Sequence, residues 1–318
     1  MARLGLIPKE AMVKRIGSAY AGASRSIVSI LRDLNPDTYT AAAGSHALAR
    51  IRAIVEQLNM RAATWARKSV KAAYNESRGI AQTRLEAIGA ERPHQKKDAK
   101  AGSAKSTGGK IHDRAIARAV KRTTRDYLKA NRTILVTAGR YLSTLAYARK
   151  KLDDYREAAV QAFTSEAIKD YIKKTVAGAL VAKSKYNAGE ASLTSKDIAG
   201  KIRAKLLDQI GGGDFIRING KNYNLKSYAE LVARTRMRES QTDATIAMCE
   251  EYENDLVQFS KHDDPCEICA QYEDQVYSIS GKHPTYPMLP DEAYCPVHPR
   301  CEHNLNPTSE TALRWRNK

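Results

Sequence analysis

Between Pro93 and Pro265 the chain runs for 171 residues without a proline. A proline inside a helix removes a backbone hydrogen bond and clashes with the preceding turn. A stretch this long without one can build helices well beyond the usual ~12 residues. The pattern then reverses: seven of the ten prolines and four of the five cysteines lie after residue 264. The chain therefore carries two structural styles, long helices first and a short, turn-rich segment last.

Apolar spacing fills in the helical part. Met12, Ile16, Tyr20, Ile27, Ile30 and Leu31 predict a helix over Pro8–Leu34, closed by the turn signal Asn35-Pro36-Asp37. Leu48, Ile51, Ile54, Val55, Leu58 and Met60 predict a long Ala-rich helical stretch over 45–90, with Gly79 the candidate break. Residues 92–110, RPHQKKDAKAGSAKSTGGK, have no large apolar residue before Lys110 and read as a flexible basic linker. Gly108-Gly109-Lys110 imitates the end of a phosphate-binding loop, but Ala104 and Ile111 stand where that motif needs Gly and Ser/Thr. Helical spacing returns from Ile111 to about Tyr186, and a further helix follows Thr194-Ser195. Beyond Gly211-Gly212-Gly213, Asn219-Gly220 between two short alternating runs predicts a hairpin. A helix from Leu225–Ser227 to about Asn254 and strand-like runs at Leu256–Phe259 and Val276–Ile279 complete the reading. The expected segments are 1–91, a basic helical region; 92–110, the linker; 111–210, a second helical region; and 211–318, a compact C-terminal domain.

Charge divides along the same line. Residues 1–230 hold 44 Lys and Arg against 20 Asp and Glu, a net of +24, while residues 231–318 hold 9 against 15, a net of −6. A basic helical part of this kind fits a polyanion, most simply nucleic acid. No run of about 18 apolar residues is present, so no membrane span is expected. The N-terminus lacks the apolar stretch and small-residue cleavage site of a secretory signal.

Cys266-Glu267-Ile268-Cys269 is a CxxC, and Cys295-Pro296-Val297-His298-Pro299-Arg300-Cys301-Glu302-His303 packs four more donors into nine residues. Zinc takes four nitrogen or sulfur ligands in a tetrahedron, and two short turns can supply two each. Such a clamp contributes folding free energy directly in a region poor in apolar residues. Cys266, Cys269 and Cys301 are the expected zinc ligands with His298 as the fourth, and Cys295 and His303 compete for that place. Disulfides are not expected without an export signal. A redox CxxC would open a helix after a strand in a βαβ setting that is missing here. A catalytic zinc would keep a position open for water, whereas thiolates in surplus favour a closed structural site. Cys249, inside the preceding helix, reads as a small buried apolar residue. The fold class expected is mainly α: a long helical N-terminal region followed by a small α+β, zinc-stabilised C-terminal domain.

The blocks Tyr228–Thr235, Asp264–Ala270, Val276–Gly281, Tyr286-Pro287 and His298–His303, followed by Leu305 and Pro307, resemble in order and spacing the phage minor capsid, Mu-F-like head morphogenesis family. The resemblance implies a non-enzymatic virion protein inside the phage head near the portal vertex, made in the host cytoplasm. It implies roles in head assembly and in genome packaging or ejection. The implied partners are the portal protein and packaged double-stranded DNA, with the major capsid protein or other internal head proteins as further candidates. Two other readings compete: a zinc-containing nucleic-acid-binding protein, which the acidic balance around the cysteines disfavours, and a zinc-dependent hydrolase, for which no unpaired Glu or His obviously faces an open metal position.

Overall fold

The computed structural model describes residues 10–92, 107–161, 204, 216–218, 221–299 and 301–316. Helix α1 spans Glu10–Arg32. The chain turns at Asn35, whose side chain accepts a hydrogen bond from the Asp37 N–H, and Thr40 caps helix α2, Ala41–Trp65, by accepting from the Ala43 N–H. A five-residue π segment, Ala66–Val70, joins α2 to α3, Lys71–Ala87. The irregularity in this stretch is therefore at residues 66–70 and not at Gly79, which stays helical. A side-chain carbon added at Gly79 would meet nothing within 4 Å. One exposed glycine costs a helix only about 1 kcal/mol, which packing elsewhere on α3 offsets.

Helix α4 runs for 55 residues, Thr107–Gln161. It begins inside the segment expected to be linker, taking Gly108 and Gly109 into its first turn, where backbone N–H groups have no intrahelical partner to lose. The rest of the expected linker, the helix beyond 161, the helix after Thr194-Ser195 and the triple glycine lie outside the described residues, apart from Ala204, which is helical. Strands β1, Ile216–Ile218, and β2, Lys221–Tyr223, pair antiparallel with Ile218 opposite Lys221, so the register leaves Asn219-Gly220 between them, as the hairpin signal requires. Asn224 caps α5, Leu225–Glu251, by accepting from the Ser227 N–H. At the far end Glu253 adopts φ 53° and the Asn254 N–H bonds back to the Cys249 carbonyl, a left-handed stop. Strand β3, Leu256–Phe259, helix α6, Glu267–Ala270, strand β4, Val276–Ser278, strand β5, Leu305–Pro307, and helix α7, Glu310–Arg316, complete the order. The second sheet has the order β4-β3-β5, with β3 antiparallel to both neighbours. The protein is thus mainly α with a small α+β C-terminal region, as expected.

Two compact units emerge, one of residues 1–17, 61–127 and 229–318, the other of residues 18–60 and 128–228. In the second unit the helical segments bury one stripe each. Tyr20, Ile27 and Leu31 come from α1, Ile51, Val55 and Leu58 from α2, and Ile134, Tyr141, Leu145 and Leu152 from α4. Three- and four-residue intervals keep such residues on one face. Asn131 of α4 is buried in this unit and donates to Asn59 at 2.7 Å.

In the first unit the C-terminal sheet does not close its core with its own segment alone. Val257, Phe259, Tyr277 and Leu305 pack with Met248, Cys249 and Tyr252 of α5 and with Ala81 and Leu85 of α3. Leu85 is fully buried there. Leu85→Ala should therefore lower stability by about 2–5 kcal/mol in chemical denaturation.

A buried polar relay crosses the same unit. The Tyr74 hydroxyl donates to Nδ1 of His112 at 2.7 Å, and Nε2 of His112 reaches Glu251 at 2.9 Å. The tautomer satisfying both carries its proton on Nε2. Burial, the largest influence, lowers the pKa of His112 below the ordinary 6.5, despite the opposing pull of Glu251. The folded state thus prefers neutral His112. Its contribution is fully present above the unfolded pKa of about 6.5 and is lost as pH falls towards the lower folded value. Stability should fall in urea titrations as pH drops below about 6.5, and His112→Gln should flatten that dependence.

Candidate metal centre

The register of β3 builds this site. Phe259 of β3 pairs with Leu305 of β5, and one step further the Ser260 N–H donates to the Asn304 carbonyl at 2.9 Å while the Asn304 N–H donates to Ser260 Oγ at 3.0 Å. The chain leaving β3 and the chain entering β5 therefore run side by side. On the other flank the Phe259 N–H donates to the Gln275 carbonyl, which returns the 260–275 loop to β4. The first loop carries the CxxC and the second carries His298, Cys301 and His303.

Each half-site is one tight turn. The Cys266 carbonyl accepts from the N–H groups of Cys269 at 3.0 Å and Ala270 at 2.9 Å, with Cys266 standing just before α6. The His298 carbonyl accepts from the Cys301 N–H at 2.9 Å. Across the gap, Nε2 of His298 stands 3.1 Å from Cys266 Sγ and 3.3 Å from Cys269 Sγ, and the sulfurs of Cys269 and Cys301 are 3.8 Å apart. Donors bound at ~2.0–2.3 Å to a tetrahedral zinc would stand about 3.3–3.8 Å apart. Two triads result, Cys266–Cys269–His298 and Cys269–Cys301–His303, each with its ligand atoms within 4.8 Å of one another. Cys269 belongs to both. The five residues together can hold a metal ion.

Both imidazoles are oriented for the task. Nδ1 of His298 lies 2.9 Å from the Pro299 carbonyl, which leaves Nε2 free to face the thiols. Nε2 of His303 is 2.9 Å from Glu273 Oε1, and its Nδ1 faces Cys301 Sγ at 3.8 Å. Glu273 is itself held, accepting from the His262 N–H at 2.7 Å. A carboxylate or carbonyl behind the imidazole is the usual support of a metal-bound histidine. Cys295 lies in neither triad. It is buried and hydrogen-bonded to Cys301.

Without an ion the thiols differ sharply. The hydrogen bond from Cys295 is the largest influence holding Cys301 down at about 4, against the opposing effect of burial. Cys266 is also lowered, first by the Cys269 backbone N–H at the start of α6. Burial pushes Cys269 up, and donation to Cys301 followed by burial does the same for Cys295. His298 is raised, chiefly by the Pro299 carbonyl. Arg238 of α5 is buried beside this cluster and donates to Asn304 at 2.9 Å. Burial lowers its pKa, while Cys301 and Cys295 pull the other way. A guanidinium thus lies next to the cysteine cluster.

The sequence pattern identified Cys266, Cys269, His298, Cys301, Cys295 and His303. It missed Glu273, His262 and Arg238, because no spacing rule ties them to the cysteines and only strand pairing brings them near. Cys249 is buried among the apolar residues of α5 and the sheet, and burial raises its pKa to about 12. In metal-free protein near pH 7, iodoacetamide should label exposed Cys266 first and leave Cys249 unlabelled while the fold persists, as read by peptide mass spectrometry. Equal labelling of the two would contradict this placement.

Residues 186–308 match the model of the family described as Phage minor capsid protein 2. The matched stretch takes in the β1–β2 hairpin, α5, the three-stranded sheet and all five residues of the two triads. No curated protein and no solved structure matches the chain. Among the described residues no helix is long and apolar enough to cross a membrane. The C-terminal part of the chain therefore carries the sequence pattern of a phage minor capsid protein family, which supports a role as a phage head protein.

Proposed function

We propose that the protein is a minor structural component of the phage head, held inside the capsid near the portal vertex, where it supports head assembly and genome packaging or ejection. In this reading residues 211–318 form a module clamped by a structural zinc ion, and the basic residues 1–210 lie against packaged double-stranded DNA. The observation that carries it is a coincidence of two facts. The family match spans both half-sites, and those turns, with Cys266 and His298 separated by 32 positions, converge in space. The ligands proposed are Cys266, Cys269, Cys301 and one imidazole, His298 or His303.

The chemistry the ion would supply is cross-linking. Thiolate-rich sites close around zinc and hold a fold, whereas hydrolytic zinc keeps a water position open. That donor set and the capsid family support a role without catalysis. The net charge of −6 over residues 231–318 suits docking on protein, with the portal protein as the proposed partner, better than contact with phosphate.

The experiment is a mass-spectrometric inventory of purified virions, paired with a zinc assay on the isolated full chain. The protein should be recovered in virions at far lower abundance than the major capsid protein, with about one zinc per chain. Recovery only from host cytosol, or a chain free of zinc, would contradict the proposal. Chelation and Cys269→Ser should lower the thermal midpoint alike, since Cys269 serves both triads. Glu273→Gln should weaken zinc affinity about 10–100-fold if His303 is the nitrogen ligand, and leave it unchanged if His298 is.

A further inference from the structure

On α4, within the first unit, Lys110, Arg114, Arg118, Lys121 and Arg125 recur at intervals of four, four, three and four, and all are exposed. A helix turns every ~3.6 residues, so these intervals draw a single row about 22 Å long. The opposite side of the same segment buries His112, Ala115, Ala119, Thr123 and Tyr127. Charges that face the protein are neutralised: Arg122 pairs with Asp243, and Asp126 pairs with Arg236. No ion pair among the described residues reaches any of the five outward cations. Asp113, exposed beside the row, is the other carboxylate on this segment.

Like charges three or four apart destabilise a helix, so nothing in the helix itself favours this row. Its surroundings also argue against a protein partner. Protein interfaces centre on apolar anchors, and none of the large exposed apolar side chains (Met60, Leu128, Val136, Tyr147, Ile268 and Met288) falls within residues 107–127. Uninterrupted cations on a straight support fit a line of phosphates, which they contact without reading sequence. Three of the five are arginines, whose planar fork matches a phosphate in two-point contact.

We infer that this row is a surface for the phosphate backbone of double-stranded DNA. The inference deepens the head-protein reading and rests on it for the supply of duplex DNA. The test measures binding of the full chain to a random duplex of about 30 base pairs by fluorescence anisotropy across salt concentrations. The wild type should lose on the order of 10²–10³-fold in affinity between ~50 and ~200 mM salt through this row alone. The variant K110Q/R114Q/R118Q/K121Q/R125Q should show a log–log salt slope shallower by about 4, and R118Q alone by about 1, with helix content unchanged by circular dichroism. A control with five other exposed cations of the unit neutralised, K14Q/R15Q/R67Q/K68Q/K71Q, should change the slope by less than the row variant. An unchanged slope in the row variant, an equal fall in the control, or equal displacement by poly-glutamate at matched charge would overturn the inference. An unchanged slope with the protein still present in virions would overturn this surface alone. Absence from virions would overturn the head-protein reading whatever the slope.

Discussion

The pairing of β3 with β5 decides where every candidate ligand stands. Phe259 opposite Leu305 forces residues 260 and 304 together, and the two donor turns lie within a few residues of that crossing. A slip of one residue would turn each strand over and move the cysteines with it. The apolar faces of these strands prevent such a slip. Val257, Phe259 and Leu305 are buried against α5 and α3, so the register is fixed by a core built mainly of apolar side chains. Packing and strand register therefore bring the two donor turns together.

Most of the chain's local structure is legible from its sequence, because the signals are local. The hairpin follows from Asn219-Gly220 and the long helices from the absence of proline, whereas the caps Thr40 and Asn224 emerge only in the structure. Two features are not legible for a physical reason. The π segment at Ala66–Val70 buries Ala66, Ser69 and Val70 and meets Ser240 of α5, whose hydroxyl donates to the Val70 carbonyl. That is a demand of tertiary contact, and Gly79 was the only visible local weakness nearby. In the same way Glu273 became a partner of His303 through the sheet and not through any spacing in the chain. The ligand pattern itself was visible because tight turns place donors two or three residues apart. The choice between His298 and His303 was not, because both imidazoles end up with a supporting acceptor and a face toward the thiols.

Electrostatics separates the inside of the first unit from its outside. Arg122, Arg236 and Arg238 each meet an acceptor where they are partly or largely covered. Arg238 also lies beside buried Cys301 and Cys295, whose pull opposes the effect of burial on its charge. Among the described residues the outward row on α4 has no such partner. A helix that pairs its inward charges and leaves its outward ones open is organised for something outside the protein.

X-ray absorption at the zinc edge on the purified full chain reads the ligand set of the proposed site. One zinc per chain is expected, with sulfur scatterers dominating at about 2.3 Å and nitrogen at about 2.0 Å. A spectrum of oxygen and nitrogen ligands without sulfur, or no edge at all, would contradict it.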